Sequence, residues 1–224
     1  MVKFSFYYSP ARAGLPHRPS IAPMTDALKA LRSATHALHT ELDTQLEIAA
    51  PGAGKREYLH YLQDLWGWMR SFEDQLWRAA WPQEIEAGSR GGKVAWIEAD
   101  LRHAGFTTEQ IRTLPLAGFR PDLATLAARF GVAYVIEGSQ LGTKVLLHRL
   151  APQLEAWAPK WLEGYGANNV KHWRTFLACT ETSLTTPESR QEAAQAAAQA
   201  FASLAAWCAV RRATRAAAAP TSTP

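Results

Sequence analysis

The feature that most limits the fold of this chain is a series of long segments in which apolar residues recur at helical spacing. Between residues 55 and 81, large apolar side chains appear every three or four positions. They are Tyr58, Tyr61, Leu62, Leu65, Trp66, Met69, Phe72 and Leu76. This spacing places them on one face of an α-helix, whereas a strand requires strict alternation. Ala, Leu, Glu, Gln and Arg are abundant and β-branched residues are sparse, so the composition also favours helices.

Proline and glycine mark the ends of the predicted helices. The main breaks fall at 51–54, 82, 88–92, 115–121 and 164–169. We predict helices over about 25–48, 55–81, 93–104, 122–150, 170–184 and 187–215, with short turns after residues 107 and 152. The resulting seven or eight helices have short connections and no internal repeat. The sequence therefore predicts one all-α domain, a helical bundle over residues 25–215.

The two ends of the chain lack this periodicity. Residues 1–24 contain several prolines and predict an irregular N-terminal arm, and the low-complexity residues 216–224 predict a disordered tail. Met24 directly precedes the first helix, so we hypothesise that it is the working initiator and that the first stretch is a misassigned start. The intact mass of protein made from the native transcript tests this hypothesis, because a mass that includes residues 1–23 contradicts it.

Charge and cysteine content limit the classes of partner. The formal net charge is +4 and the basic residues are scattered, without the basic, aromatic-rich stripe typical of nucleic-acid binders. Cys179 and Cys208 lie far apart in apolar helical segments, which indicates buried thiols in a reducing compartment. No apolar run reaches the roughly 18 residues needed to span a bilayer, and no clean signal pattern is present. We therefore expect a cytoplasmic protein that binds neither nucleic acid nor membrane.

The first predicted helix carries a histidine at the edge of its apolar face. The apolar stripe consists of Leu31, Thr35, Leu38, Leu42 and Leu46. His39 lies about 60° from the centre of this stripe and His36 about 120° away, so His36 faces solvent. Arg32 is two turns before His39 on nearly the same face, which suits a ligand with a coordinating centre and an anionic edge. The alternative interpretation is a structural histidine with no ligand.

The long fourth segment contains Gly131, Gly138 and Gly142 on one face of an otherwise good helix. An interior glycine costs about 1 kcal/mol relative to alanine, so Gly138 and Gly142 need a reason to be there. One reason is the close approach of a flat ligand to the backbone, and the other is close packing of two helices. Ser139 either orients water beside such a ligand or bonds back to the preceding turn.

These two segments together resemble the haem oxygenase family, particularly the bacterial members that accompany phytochromes. "LRSATHALHTELD" (31–43) is similar to the family's proximal-helix motif, and "YVIEGSQLG" (134–142) is similar to its distal-helix motif. "NNVKHWRTFL" (168–177) is a weaker third match. The resemblance covers about residues 25–210 and implies the family's all-α fold.

The resemblance assigns roles to individual residues. It implies that His39 is the proximal iron ligand and that Gly138 and Gly142 lie against the distal face of haem. It further implies that Ser139 organises water that delivers protons, and that Arg32 meets a haem propionate. The resemblance also implies that the haem propionates contact Tyr134, Lys171 and Arg174.

The reaction implied by the resemblance is the O2- and electron-dependent opening of haem to biliverdin, iron and carbon monoxide. Haem b would be both cofactor and substrate, with O2 as co-substrate. The implied partners are an electron donor, such as a ferredoxin or a flavin reductase, and a bacterial phytochrome that receives biliverdin.

One position departs from the family pattern, in which a second glycine follows the first. Here Thr143 follows Gly142, and the helical angle places Thr143 away from the centre of the ligand-facing side. If its side chain did meet haem, the chain would fit a non-degrading haem carrier or sensor on the same fold. A third alternative is a helical module that binds no haem, in which His39 is structural.

Overall fold

The computed structural model describes residues 25–155 and 157–218, which fold as helices joined by short loops and contain no strand. The helices are α1 (Asp26–Gln45), α2 (Lys55–Met69), α3 (Glu73–Arg78), α4 (Ala87–Arg90), α5 (Lys93–His103), α6 (Thr108–Arg112), α7 (Leu126–Leu154), α8 (Lys160–Glu163), α9 (Asn169–Ser183) and α10 (Pro187–Ala218). The predicted all-α fold is confirmed. The predicted N-terminal arm, the proposed start at Met24 and residues 219–224 of the predicted tail lie outside the described residues.

The second predicted helix is divided into two, α2 and α3. The break comes before Phe72, whose ring is 1% exposed and packs edge-on against Trp68 and Phe119. Ser71 Oγ also donates a hydrogen bond to the carbonyl of Phe119, 3.3 Å away. Because these contacts join residues 48 positions apart, tertiary packing overrides a local pattern that continues through the break.

The long helix α7 lies about four residues later in the chain than predicted. Thr125 Oγ1 accepts a hydrogen bond from the backbone N–H of Ala128, so Thr125 caps the start of the helix. At the other end, α7 continues past Pro152 to Leu154. The cap and the extension together place residues 134–139 in the middle of a 29-residue helix.

The centre of the fold is the contact of α10 with α7 and α1. A row of alanines on α10, including Ala193 and Ala197, is fully buried against α7. A Cβ atom added at Gly131 would overlap the carbonyl oxygen of Ala193 and lie 2.8 Å from Ala196 Cβ. The close-packing interpretation of the α7 glycines therefore holds at Gly131, where the two backbones approach each other.

Substitution of Gly131 by alanine is expected to destabilise the fold by about 1–3 kcal/mol, because α7 and α10 must separate to admit the methyl group. The loss exceeds the gain in helix propensity that alanine otherwise brings. Urea unfolding followed by circular dichroism measures the change. Gly88→Ala in α4 is the control, since a Cβ there meets nothing within 4 Å. Equal stabilities of the two variants would contradict the close packing.

Helix α10 is long and apolar enough to cross a membrane by length and composition, the one helix in the described part of the chain that is. This helix was not expected to pass because its hydropathy comes from alanine rather than from large apolar residues. It contacts α7, α1 and α2, and Phe201 and Leu204 are buried, while 33% of its most apolar stretch is buried in all. One helix of this length and composition is weak evidence for a membrane span.

Candidate functional site

An apolar cavity lies between α1, α2, α7 and α10. Its empty space, counted with the opening to solvent, is about 860 Å³. Aromatic and aliphatic side chains form most of the wall, among them Leu65, Trp68, Trp161 and Phe201. Only a few polar groups, such as Arg32, interrupt this apolar wall. Such a surface suits a large, flat and mostly apolar ligand.

His39 is placed in the cavity wall by the buried face of α1. The residue is 6% exposed, and its ring meets Phe201 edge-on with a centroid distance of 5.5 Å. His39 Nδ1 lies 3.2 Å from Asp43 Oδ2, one helical turn later. Because Nδ1 faces this carboxyl group, Nε2 occupies the opposite edge of the ring. This arrangement, with a carboxyl group behind one nitrogen, is the one used to orient a metal-binding imidazole.

Burial governs the protonation of this pair. Burial, together with the smaller effect of the charge of nearby His36, lowers the pKa of His39 to about 4. Burial also raises the pKa of Asp43 to about 8. Both shifts favour the uncharged form of each side chain, and the neutral imidazole is the form that binds a metal ion.

Arg32 lies at the same wall, two turns before His39, and is half-buried. It brings a cation to the edge of an otherwise apolar space, as its helical spacing predicted. His36 is exposed, also as predicted. The side of α1 that faces the cavity therefore combines one imidazole with one guanidinium group.

The middle of α7 forms another wall of the cavity, with Tyr134, Gly138 and Ser139. A Cβ atom added at Gly138 would lie 3.7 Å from Trp173 Cη2, which is ordinary van der Waals contact. Helix packing thus accounts for Gly131 but does not require a glycine at position 138. The missing side chain at Gly138 instead leaves the backbone open to a ligand in the cavity.

The two hydroxyl groups near the glycines differ in position. Ser139 lines the cavity, and its Oγ donates a hydrogen bond to the carbonyl of Ile136 at 2.7 Å. Thr143 is 1% exposed and its Oγ1 donates to the carbonyl of Gln140 at 3.0 Å. Thr143 is not a cavity residue, so the departure from the family pattern does not narrow the space.

The structure gathers five of the eight predicted site residues at the cavity: Arg32, His39, Tyr134, Gly138 and Ser139. Gly142 is buried in α7 but is not part of the cavity wall. Lys171 and Arg174 are exposed on α9 and also lie outside the wall.

Sequence reasoning missed two residues of the site. Trp173 lies between the two predicted basic residues of α9 and is the one whose ring reaches the cavity. Asp43 stands behind the imidazole. A search for a carboxylate four residues after His39 would have found Asp43, because positions i and i+4 of a helix are neighbours.

Comparison with known families agrees with the observed all-α fold. A search of curated proteins finds no significant match to this chain. The family model described as heme oxygenase matches residues 25–209, which include α1, α7, α9 and most of α10. The cavity residues fit haem, because an imidazole backed by a carboxyl group and a side-chain-free stretch of helix both border a large apolar space. The chain belongs to the haem oxygenase family.

Proposed function

We propose that this protein is a haem oxygenase that uses O2 and electrons to open haem to biliverdin, Fe²⁺ and carbon monoxide. The observation that carries the proposal is the shared cavity of His39 and Gly138, with the imidazole contributed by α1 and the bare backbone by α7. When bound, haem supplies the redox-active iron and the ring that is opened. The protein supplies binding, orientation and proton delivery.

On the α1 side, His39 binds the iron through Nε2, with Asp43 fixing the ring by its contact with Nδ1. Arg32 pairs with a propionate at the edge of the cavity. Lys171 and Arg174 are exposed on either side of Trp173, so they attract the propionates from the entrance rather than contact them from the wall.

On the α7 side, Gly138 would let the porphyrin approach the helix backbone. Gly142, one turn later, keeps the same helix free of a side chain at its buried surface. Tyr134 packs against Trp173 with a centroid distance of 5.6 Å and supports the rim of the cavity. Ser139 Oγ remains able to accept a hydrogen bond, so it would hold water that supplies protons when haem is bound.

The same proposal covers the partners. A cytoplasmic reductant, such as a ferredoxin or a flavin reductase, supplies the electrons, and a bacterial phytochrome is the acceptor of biliverdin. The sequence resemblance to phytochrome-associated haem oxygenases supports this assignment. The buried position of Thr143 supports the enzyme over a non-degrading haem carrier, because Thr143 was the one sequence feature that favoured the carrier.

Substitution of Asp43 by leucine is expected to weaken haemin binding about 10- to 100-fold, the usual cost of losing the group that orients a metal-binding histidine. Asp43→Asn is the control, since its carbonyl oxygen still accepts a hydrogen bond from His39 Nδ1. Haemin titration followed at the Soret band measures both. If the leucine and asparagine variants bind haemin equally well, Asp43 does not orient His39.

Haemin titration followed by aerobic turnover tests the function itself. The purified protein is expected to develop a Soret band at one haemin per chain. Addition of reductant and O2 should then convert this band to the spectrum of biliverdin. A Soret band without ring opening would instead support the non-degrading haem carrier. Absence of haemin binding would show that the protein is not a haem protein.

A further inference from the structure

A buried ionic cluster lies behind the α7 wall of the cavity. We name it the Glu137 cluster and define it as Arg90, Lys93, Glu137 and Tyr165. Glu137 pairs with the guanidinium of Arg90 through one oxygen and with Lys93 Nζ, 2.7 Å away, through the other. Tyr165 donates its hydroxyl hydrogen to the same carboxylate at 2.8 Å. The side chains of Arg90, Lys93 and Glu137 are at most 1% exposed.

Each of the three side-chain nitrogens of Arg90 donates a hydrogen bond within the protein. Its Nη1 bonds Glu137 on α7, and its Nη2 donates to the backbone carbonyl of His172 on α9, 3.0 Å away. Its Nε donates to the carbonyl of Ile85 at 2.6 Å. One planar group therefore ties α7 and α9 to the loop before α4, and a lysine lacks the geometry to replace it.

The two ends of this bridge are each one residue away from the cavity. Glu137 directly precedes Gly138, and His172 directly precedes Trp173. Gly138 and Trp173 face each other across the cavity wall, since a Cβ at Gly138 would lie 3.7 Å from Trp173 Cη2. The hydrogen bonds of Arg90 to Glu137 and to the His172 carbonyl therefore help to set the distance between Gly138 and Trp173.

Stability alone gives a poor reason for the cluster. The cost of removing charges from water offsets most of their attraction, and well-packed apolar residues are often as stable. The side of α7 that faces the open cavity, however, has only a hydrogen at Gly138, about 100° around the helix from Glu137. Ser139 is on that side, about 160° around the helix from Glu137. Near Glu137, α7 is therefore held in place by directional hydrogen bonds on the side turned away from the cavity.

We infer that Arg90 is a positioning residue for haem, which sets the gap between Gly138 on α7 and Trp173 on α9. The inference rests on the proposed function and deepens it, because that gap limits how the porphyrin is seated. Arg90 touches no ligand itself. Arg90 acts through Glu137 and the backbone of His172, which adjoin the cavity residues Gly138 and Trp173.

The first test compares Arg90→Lys with Arg129→Lys. Arg129 lies in the first turn of α7 and donates to the carbonyls of Leu123, Ala124 and Ala80, so it is a second arginine that ties α7 to neighbouring segments, outside the cavity wall. We expect Arg90→Lys to weaken haemin binding about tenfold, a typical effect of a lost supporting contact, and Arg129→Lys to leave it unchanged. Equal haemin affinities of the two variants would overturn the inference, whatever their melting temperatures.

The second test is a double-mutant cycle of Arg90→Lys with Gly138→Ala. When Gly138→Ala is made in the wild-type protein, the added methyl group narrows the gap between positions 138 and 173 and weakens haemin binding. When it is made in the Arg90→Lys variant, α9 can move away from the methyl group. The effect of Gly138→Ala on haemin affinity should then shrink about fivefold, within the range measured for residues of one network. If the double variant loses haemin affinity by the product of the two single-variant factors, the inference is overturned. If Arg90→Lys does not fold, Glu137→Gln takes its place in the cycle.

The cycle is also run on haem-free protein, with the unfolding equilibrium constant as the readout. Absence of haemin binding by the wild-type protein would refute the proposed function, while coupling of Arg90 to Gly138 in unfolding would still support the positioning of α7. Normal haemin binding by the wild-type protein, without coupling in the haemin-binding cycle, would refute the positioning role alone.

Discussion

Replacement of His39 by alanine is expected to abolish iron ligation by the protein and with it biliverdin formation. Loss of the orienting carboxylate costs about 10- to 100-fold in metal affinity, and loss of the ligand itself should cost more. The apolar wall remains, so the variant should retain weak haemin binding with a shifted Soret band. Absorbance titration and a turnover assay measure both effects, and added imidazole should restore part of the original spectrum.

His36→Ala is the matched control for this experiment. His36 lies one turn before His39 on the same helix but is exposed on a different face. Its removal should leave the Soret band and the turnover rate near those of the wild-type protein. An unaltered spectrum in the His39 variant would show that another group binds the iron, and the assignment of His39 would be wrong.

The second large effect is expected at the Glu137 cluster. Glu137→Leu leaves Arg90 and Lys93 buried without their carboxylate, and breaking a buried pair from one side costs about 3–5 kcal/mol. Urea unfolding of the haem-free protein should show this loss. An exposed pair serves as the control, since Glu109→Gln removes the contact of Glu109 with Arg112 and should cost less than about 1 kcal/mol. Equal losses would contradict the energetic importance of the cluster.

Much of the fold follows from local patterns in the sequence. The start of α1 after Thr25, the extent of α9 and the start of α10 at Pro187 agree with prediction to within a residue or two. The division of α2 from α3 was unpredictable, because it depends on Phe119, which lies 47 positions after Phe72. Local periodicity contains no information about such a distant partner.

The α7 glycines show the same limit within one helix. Sequence alone left two explanations open for them, a flat ligand or a neighbouring helix. The neighbouring helix explains Gly131, because the backbone of α10 leaves no room for a side chain there. It does not explain Gly138, where a Cβ atom would fit. Which explanation applies depends on what lies opposite each residue, and spacing along one helix does not specify that.

The site itself was only partly predictable. The helical angle of His39 relative to its apolar stripe placed it correctly at the cavity, and the same geometry placed Arg32 beside it. Lys171 and Arg174 were chosen by resemblance at a loosely matched segment, where the intervening Trp173 is the cavity residue. Arg90 and Lys93 gave no signal, because their partner Glu137 is more than 40 positions away.

His39 and Gly138 are proposed to lie on opposite faces of the same porphyrin. A crystal structure of the protein with bound haemin is the decisive experiment. We expect iron bonded to His39 Nε2, with the backbone of Gly138 against the other face of the ring. Haemin bound elsewhere, or iron bonded to a different side chain, would show that this arrangement is wrong.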